Sequence, residues 1–288
     1  MKKFELTTEF ITNAFGKKLF RIKALVEFGD VKAGELGGYV EKEENVSQDG
    51  NAWVSGDAEV YGDAWVHGNA KVHGNAEVYG DTEVSGDALV YGNARVYGDA
   101  RVYGDARVYG NAWVSGNAWV SGNAWVYGDA RVSGNAWVYG DARVSGDARV
   151  YGDARVSGNA WVSGNARVYG DAWVRGDAWV RGDARVSGDA RVSGNPWVSG
   201  NAWVYGDARV SGNVDYALVQ GFGTEFRCTT FYRGKNKKIM VNCGCFHGNL
   251  EKFRKQVKET RSGKIAKEYL MIADLMEYHF ASEDSRNE

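Results

Sequence analysis

The sequence predicts a mainly β chain: a parallel solenoid, triangular in section, followed by a small α+β module. Each coil holds 18 residues and about nine coils are regular. Three observations carry this. From Asn51 to Gly212 the chain runs as 27 consecutive hexads without insertion, on the consensus Asn/Asp-Ala-Trp/Arg-Val-Tyr/Ser-Gly. Within each hexad the Ala and Val are two apart, so they share one face of a short strand, while the flanking large or polar residues point the other way. Gly followed by Asn or Asp then supplies the backbone freedom of a corner. Three strands and three corners close one coil. A helix is excluded, because Val every six residues drifts round a 3.6-residue period and the regular Gly would weaken it.

The elements follow in chain order. Residues 1–50 read as an N-terminal cap and first coil, with two strands, "KFELTTEF" and "KKLFRIKAL", around "NAFGKK". A solenoid end needs such a cap against edge-to-edge association. Val40 and Val46 are already six apart, but Val46 and Val54 are eight apart, so two extra residues interrupt the register just before the repeats. Residues 51–212 are the repeats. Pro196, the only Pro, replaces an inward Ala and is expected to remove one ladder donor. Residues 213–288 read as a ββαα module. Its hairpin is "EFRCTTFYR" and "KIMVNCGCF" around "GKNK", and its first helix is N-capped by Asn249, with Leu250, Phe253 and Val257 on one face. A second helix carries Ile265, Tyr269, Ile272, Met276 and Phe280 at helical spacing.

The repeats resemble the left-handed parallel β-helix of hexapeptide-repeat proteins, with Val at the inward position and small Ala two residues before it. The handedness is an implication of that resemblance. The flanks are similar to something narrower. "FRIKALVEFGDVKAGELGGYVEKEENVSQDGNAWV", from Phe20 to Val54, resembles the N-terminal entry of the YdcK-like β-solenoid group found among phage and prophage proteins. "TTFYRGKNKKIMVNCGCFHGNLEKFRKQVKET", from Thr229 to Thr260, resembles a module that recurs at the C-terminus of such proteins. The resemblance supplies no catalytic residues.

Stacking every eighteenth residue places all 11 Trp in three outward columns, interleaved with Arg. Trp113, Trp119, Trp125, Trp137, Trp161, Trp173 and Trp179, with Arg131, Arg149 and Arg155, are the candidate binding surface for a protein or glycan. The plainer reading is a set of stabilising ladders, a Trp against an Arg contributing about 0.5–1 kcal/mol. One corner carries mostly Asp, from Asp63 to Asp207, whose side chains are expected to bond to their local turns.

Charge and cysteine usage bound the rest. The 35 Lys+Arg nearly balance the 37 Asp+Glu, so net charge implies no particular partner. In the tail, Arg227, Arg233, Lys235, Lys237, Lys238, Arg254, Lys258 and Arg261 form a candidate polyanion-binding patch, with nucleic acid as the alternative partner. Cys228, Cys243, Cys245 and His247 have the residue types of a zinc site, but paired strands without a knuckle do not make one, and no metal or cofactor is expected. The start lacks the apolar core of a signal peptide and no apolar run approaches a membrane span, so a cytoplasmic protein is expected. Many left-handed β-helices are acyltransferases. Here the coils carry no inserted loop, and His67 and His73 fall on different faces, so no catalytic residue is assigned. The reading is a non-enzymatic structural or binding protein of phage or prophage type, a rigid rod presenting a module for oligomerisation or targeting. The second helix's broad apolar stripe, Ile265 to Phe280, predicts a homodimer joined through residues 216–280.

Overall fold

The computed structural model describes residues 1–224, 226–235 and 237–281; the side chain of Arg227 lies outside that description. The chain divides into two compact units, Met1–Asn159 and Ala160–Glu288.

In the first unit, eighteen two- to four-residue strands run from Trp53–Val54 to Arg155–Val156. At three strands per coil they make six coils. Strands 18 residues apart pair in parallel: Arg95 with Trp113, Arg101 with Trp119, Arg107 with Trp125. The bond that sets this register is uniform. An outward N–H donates to the carbonyl 17 residues on, as from Trp53 to Ala70 at 3.0 Å and from Ser55 to Val72 at 2.9 Å. Inside, Ala and Val of every hexad are fully buried. Each Val contributes about 1.5–3 kcal/mol of burial. Thr82, where Ala is the rule, is also buried, and its hydroxyl donates to Tyr79 O at 2.7 Å.

Corners explain the glycines. Gly110 has φ +74°, and a Cβ there would sit 3.0 Å from the backbone nitrogen of Gly128, one coil on. Both the torsion and the close stacking demand Gly. At the same corners Asn side chains run from coil to coil rather than to their own turns. Asn75 donates to Asn93 at 3.1 Å, Asn93 to Asn111 at 3.1 Å, and Asn111 to Asp129 at 2.9 Å. Asn117 and Asn135 likewise lead into Asp153. An Asp ends each run because a carboxylate accepts but has no proton to pass on. The expectation of local turn bonding is corrected accordingly.

The N-terminal cap extends one face. Phe4–Thr12 pairs antiparallel with Lys18–Ala24, that strand antiparallel with Leu36–Val40, and Leu36–Val40 parallel with Glu59–Gly62. Tyr39 lies opposite Glu59, an offset of 20, which is where the two extra residues go. Carbonyls of the first regular coil have no coil before them to supply N–H groups, so side chains do it. Lys3 Nζ donates to Ala52 O at 2.9 Å and Gly50 O at 3.3 Å, and Asn45 Nδ2 to Ala64 O at 2.8 Å and Gly62 O at 3.1 Å.

In the second unit, nine strands from Trp161–Val162 to Arg209–Val210 form three coils in the same register, Trp161 opposite Trp179 and Arg191 opposite Arg209. Pro196 occupies an inward position and its carbonyl accepts from Trp179 at 2.9 Å. The equivalent Ala N–H groups, as at Ala166 and Ala202, reach back 3.4 Å to their own corner. Pro196 therefore removes a weak corner contact, not a ladder bond as expected from sequence.

The C-terminal module has more sheet than the sequence suggested. Tyr216–Phe222, Arg227–Arg233, Ile239–Cys243 and Phe246–Asn249 form a four-stranded antiparallel sheet, followed by α1 (Leu250–Thr260) and α2 (Gly263–Ala281). What read as one strand through "KIMVNCGCF" is a hairpin whose turn holds Gly244 at φ +60°. Asn249 caps α1 as its position predicts, accepting from Lys252 N at 2.9 Å. The larger sheet changes the fate of α2. Tyr269, Ile272, Ala273, Met276 and Phe280 pack against Phe231, Val241, Leu250, Phe253 and Val257 in one core. The stripe expected to join two chains is used inside one.

This module also closes the last coil. The N–H of Trp197 donates to Asn213 Oδ1 at 2.8 Å, that of Trp203 to Thr230 Oγ1 at 3.0 Å, and that of Ser211 to Asp215 Oδ2 at 2.9 Å. Asp215 is buried, with its other oxygen 2.9 Å from Arg233 Nε at an angle that makes an ion pair rather than a hydrogen bond.

Lys3 is buried in its cap, and burial pushes its ammonium down to about 8 from 10.5. The unfolded chain then holds this proton more tightly than the folded chain across that window. Folding carries a penalty below the window and gains stability as pH rises through it. Measured against Lys3→Met, the wild type should gain relative thermal stability between about pH 7 and about pH 9.5. A constant or shrinking difference would show that the ammonium is not held as described.

Candidate functional site

The outward columns are the first candidate surface, and the register above fixes how their side chains meet. In the first unit the Trp113 ring lies between the guanidinium carbons of Arg95 at 5.7 Å and Arg131 at 4.7 Å. The Trp125 ring lies between those of Arg107 at 5.1 Å and Arg143 at 5.2 Å. Trp119 stacks on Trp137 at 4.8 Å, with Arg101 over Trp119 and Arg155 over Trp137. Arg149 stands exposed, in register with Arg131. In the second unit Trp179 packs edge-on to Trp161 and stacks on Trp197 at 5.1 Å, and Arg191 lies over Trp173 at 5.0 Å. The residues singled out from the sequence thus meet as pairs and triples along each column.

A second set of columns was missed. Tyr91, Tyr109 and Tyr127 stack at 4.8 and 5.0 Å with rings within 3° of parallel, and His73 extends the stack to Tyr91 at 4.9 Å. Tyr61, Tyr79 and Tyr97 form another, covered at one end by Phe15. The signal was available, since these residues share the same 18-residue spacing. Burial pushes the hydroxyls of Tyr79 and Tyr109 above their usual range, and neighbouring Tyr oxygens add to it.

This stacking limits what the columns can do. A ring lying between two neighbours in its own column turns its edge, not its face, to solvent. Sugar and nucleobase recognition use the face.

Histidines on the first unit are engaged as well. His67 Nε2 lies 2.9 Å from Glu83 Oε1, with its ring 3.8 Å from that of Trp65. Burial holds the His73 imidazole below its usual range, with Lys71 adding to the shift.

The tail's cations divide into two groups. Arg233 faces Asp215 and donates to Phe280 O at 2.6 Å; Arg254 donates to Asp274 at 2.7 Å and Glu277 at 2.6 Å. Lys235, Lys237, Lys238, Lys258 and Arg261 are exposed. Arg261 shares the wall of a small cavity, about 90 Å³, with Cys243, Cys245, Phe253 and Tyr269. All three cysteines are free, and burial pushes the Cys228 thiol up. His247 turns away from them: its Nε2 lies 3.0 Å from Tyr232 Oη and its ring lies edge-on to Tyr205. Among the described residues no cluster of three or more His, Cys, Asp or Glu could hold a metal ion, and no helix is long and apolar enough to cross a membrane.

Comparison with protein families places these coils. The YdcK β-solenoid repeat model matches overlapping segments from residues 88–104 through 160–176, and again at 184–200. Comparison with curated proteins yields no match.

If the columns are ladders, Trp125 and Arg143 should be coupled. A double-mutant cycle with Trp125→Leu and Arg143→Ala, read by thermal or denaturant unfolding, should give a coupling of about 0.5–1 kcal/mol. Strict additivity would remove the stabilising role of the column.

Proposed function

We propose that this β-solenoid repeat protein of YdcK type is a non-enzymatic structural and binding protein. Its coils serve as a scaffold and its C-terminal module is the element that makes contact, for oligomerisation or targeting. The observation that carries this reading is the saturation of the column rings. Trp113 and Trp125 each lie between two guanidiniums, and the tyrosines stack on one another. Such a surface stabilises its own coils and leaves little ring face for a ligand. Free thiols support a reducing, cytoplasmic setting. The similarity of the flanks to phage and prophage solenoids supports an origin of that type.

A second reading, polyanion binding through the module, draws on the exposed Lys235, Lys237, Lys238, Lys258 and Arg261. It loses Arg233 and Arg254, which are neutralised within the module. An acyltransferase ranks third, because both coil histidines are packed against neighbouring rings.

Two titrations test the ordering. The scaffold reading predicts no heat with acetyl-CoA and no binding of duplex DNA or RNA at physiological ionic strength. Stoichiometric acetyl-CoA binding would overturn it in favour of transfer chemistry. Nucleic-acid binding that falls steeply with salt, and is lost when Lys235, Lys237 and Lys238 become Glu, would make the module a polyanion site.

A further inference from the structure

The helix α2 has two apolar faces, and only one is used by the module's core. Opposite the buried Tyr269, Ile272, Ala273, Met276 and Phe280 lie Met271, Leu275 and Tyr278, which are 61%, 58% and 76% exposed. They are four and three residues apart and so form one stripe. Three large apolar side chains in line on one helix are an unusual exposure for a surface that water alone covers.

The charges along this stripe identify what covers it. Toward the helix start lie Lys264, Lys267 and Glu268; toward the end lie Asp274 and Glu277. Lys264 pairs with Glu268 at 3.6 Å, so two cations face one anion and one positive charge is left over. Asp274 and Glu277 share Arg254 alone, so two anions face one cation and one negative charge is left over. The helix surface is therefore basic at one end, apolar in the middle and acidic at the other. It is complementary to itself when reversed.

We infer that α2 is a self-association face, on which a second copy of this chain docks its own α2 antiparallel about a two-fold axis at Met271. The spacing fits such a pairing without adjustment. Reflected about Met271, Lys264 meets Tyr278 of the other copy, Lys267 meets Leu275, and Glu268 meets Asp274. In antiparallel packing like flanks face each other, which brings Lys267 against the other copy's Asp274 and lays the Lys264 stem along the Tyr278 ring. Residues 264 to 278 span about 21 Å of helix. One helix pair of that length buries less than the roughly 1,200 Å² of a tight interface, so the dimer is in micromolar exchange with monomer. A C2 pair of this kind is closed and does not propagate into fibres. This inference rests on the module being the contact element, and it replaces the dimer contact that the sequence alone suggested.

Sedimentation velocity on the full chain, from about 1 to about 200 µM, is the test. The expected result is a concentration-dependent monomer–dimer equilibrium that Leu275→Arg weakens at least about tenfold, with an unchanged melting temperature. Lys267→Glu and Asp274→Lys should each weaken it, and the double variant should recover most of the loss, because each reversed charge meets its reversed partner. The double variant remains informative if Asp274→Lys alone loosens the module through Arg254. A monomer across the whole range overturns the inference, whatever other partner α2 binds. So does a dimer indifferent to Leu275→Arg, or a double variant no better than the single ones. A monomer leaves the scaffold reading standing, since that depends on the acetyl-CoA and nucleic-acid titrations.

Discussion

One bond repeats through every coil: an outward backbone N–H donating to the carbonyl 17 residues further on, at about 2.9 Å. Its repetition demands that residues 18 apart have the same conformation, and most of the sequence answers that demand. Ala and Val recur because the interior is narrow and each coil must superpose on the next. Glycine recurs because the corner has positive φ and because a Cβ at Gly110 would press on the backbone of Gly128. Where the bond cannot be made, at the first and last coils, side chains take its place. The choice of side chain follows the chemistry of the open group. Lys3 and Asn45 bring donors to bare carbonyls, while Asn213, Thr230 and Asp215 bring acceptors to bare N–H groups.

The same register accounts for the surface. Once backbones superpose at 18 residues, outward side chains must stack, whatever they are. Like charges would repel there, and the sequence mostly places Trp beside Arg, Asn beneath Asp and Tyr upon Tyr. Arg131 beside Arg149 is an exception, tolerated because both are exposed to water and Arg131 also lies over Trp113. Stability and surface chemistry are thereby coupled along the coils. A surface tied up in this way leaves contact with other molecules to the element outside the repeat, and α2 is the part of that element with an apolar face left over.

The coils were legible because a period is a geometric statement: 27 identical frames admit one closed solution, and the two residues inserted before Trp53 appear as the offset of Tyr39 to Glu59. The end caps were not legible as such. Lys3 in "MKKFEL" and Thr230 in "CTTFYR" become caps only through contacts 49 and 27 residues away in sequence. In the module, Tyr216–Phe222 follows the repeats without a break and shows no strict alternation, so it passed as connection. Cys243-Gly-Cys245 drew attention as a thiol pair, whereas its Gly marks the turn of a hairpin. Its misreading halved the apparent sheet, and an undersized sheet made the buried stripe of α2 look exposed. The true exposed stripe, Met271, Leu275 and Tyr278, lies on the face that the helical count had assigned to solvent.

The central claim is that backbone bonds between coils carry the fold and that side chains complete them at the ends. Amide hydrogen exchange resolves both parts. Within the repeats, the amides of Trp113 and Trp125 should be strongly protected. The amide of Trp203, which relies on Thr230 Oγ1, should be protected in the wild type and exchange about five- to tenfold faster in Thr230→Val, with Trp113 and Trp125 unchanged. If Trp113 and Trp125 exchange as readily as loop amides, or Trp203 stays protected in Thr230→Val, the account is wrong.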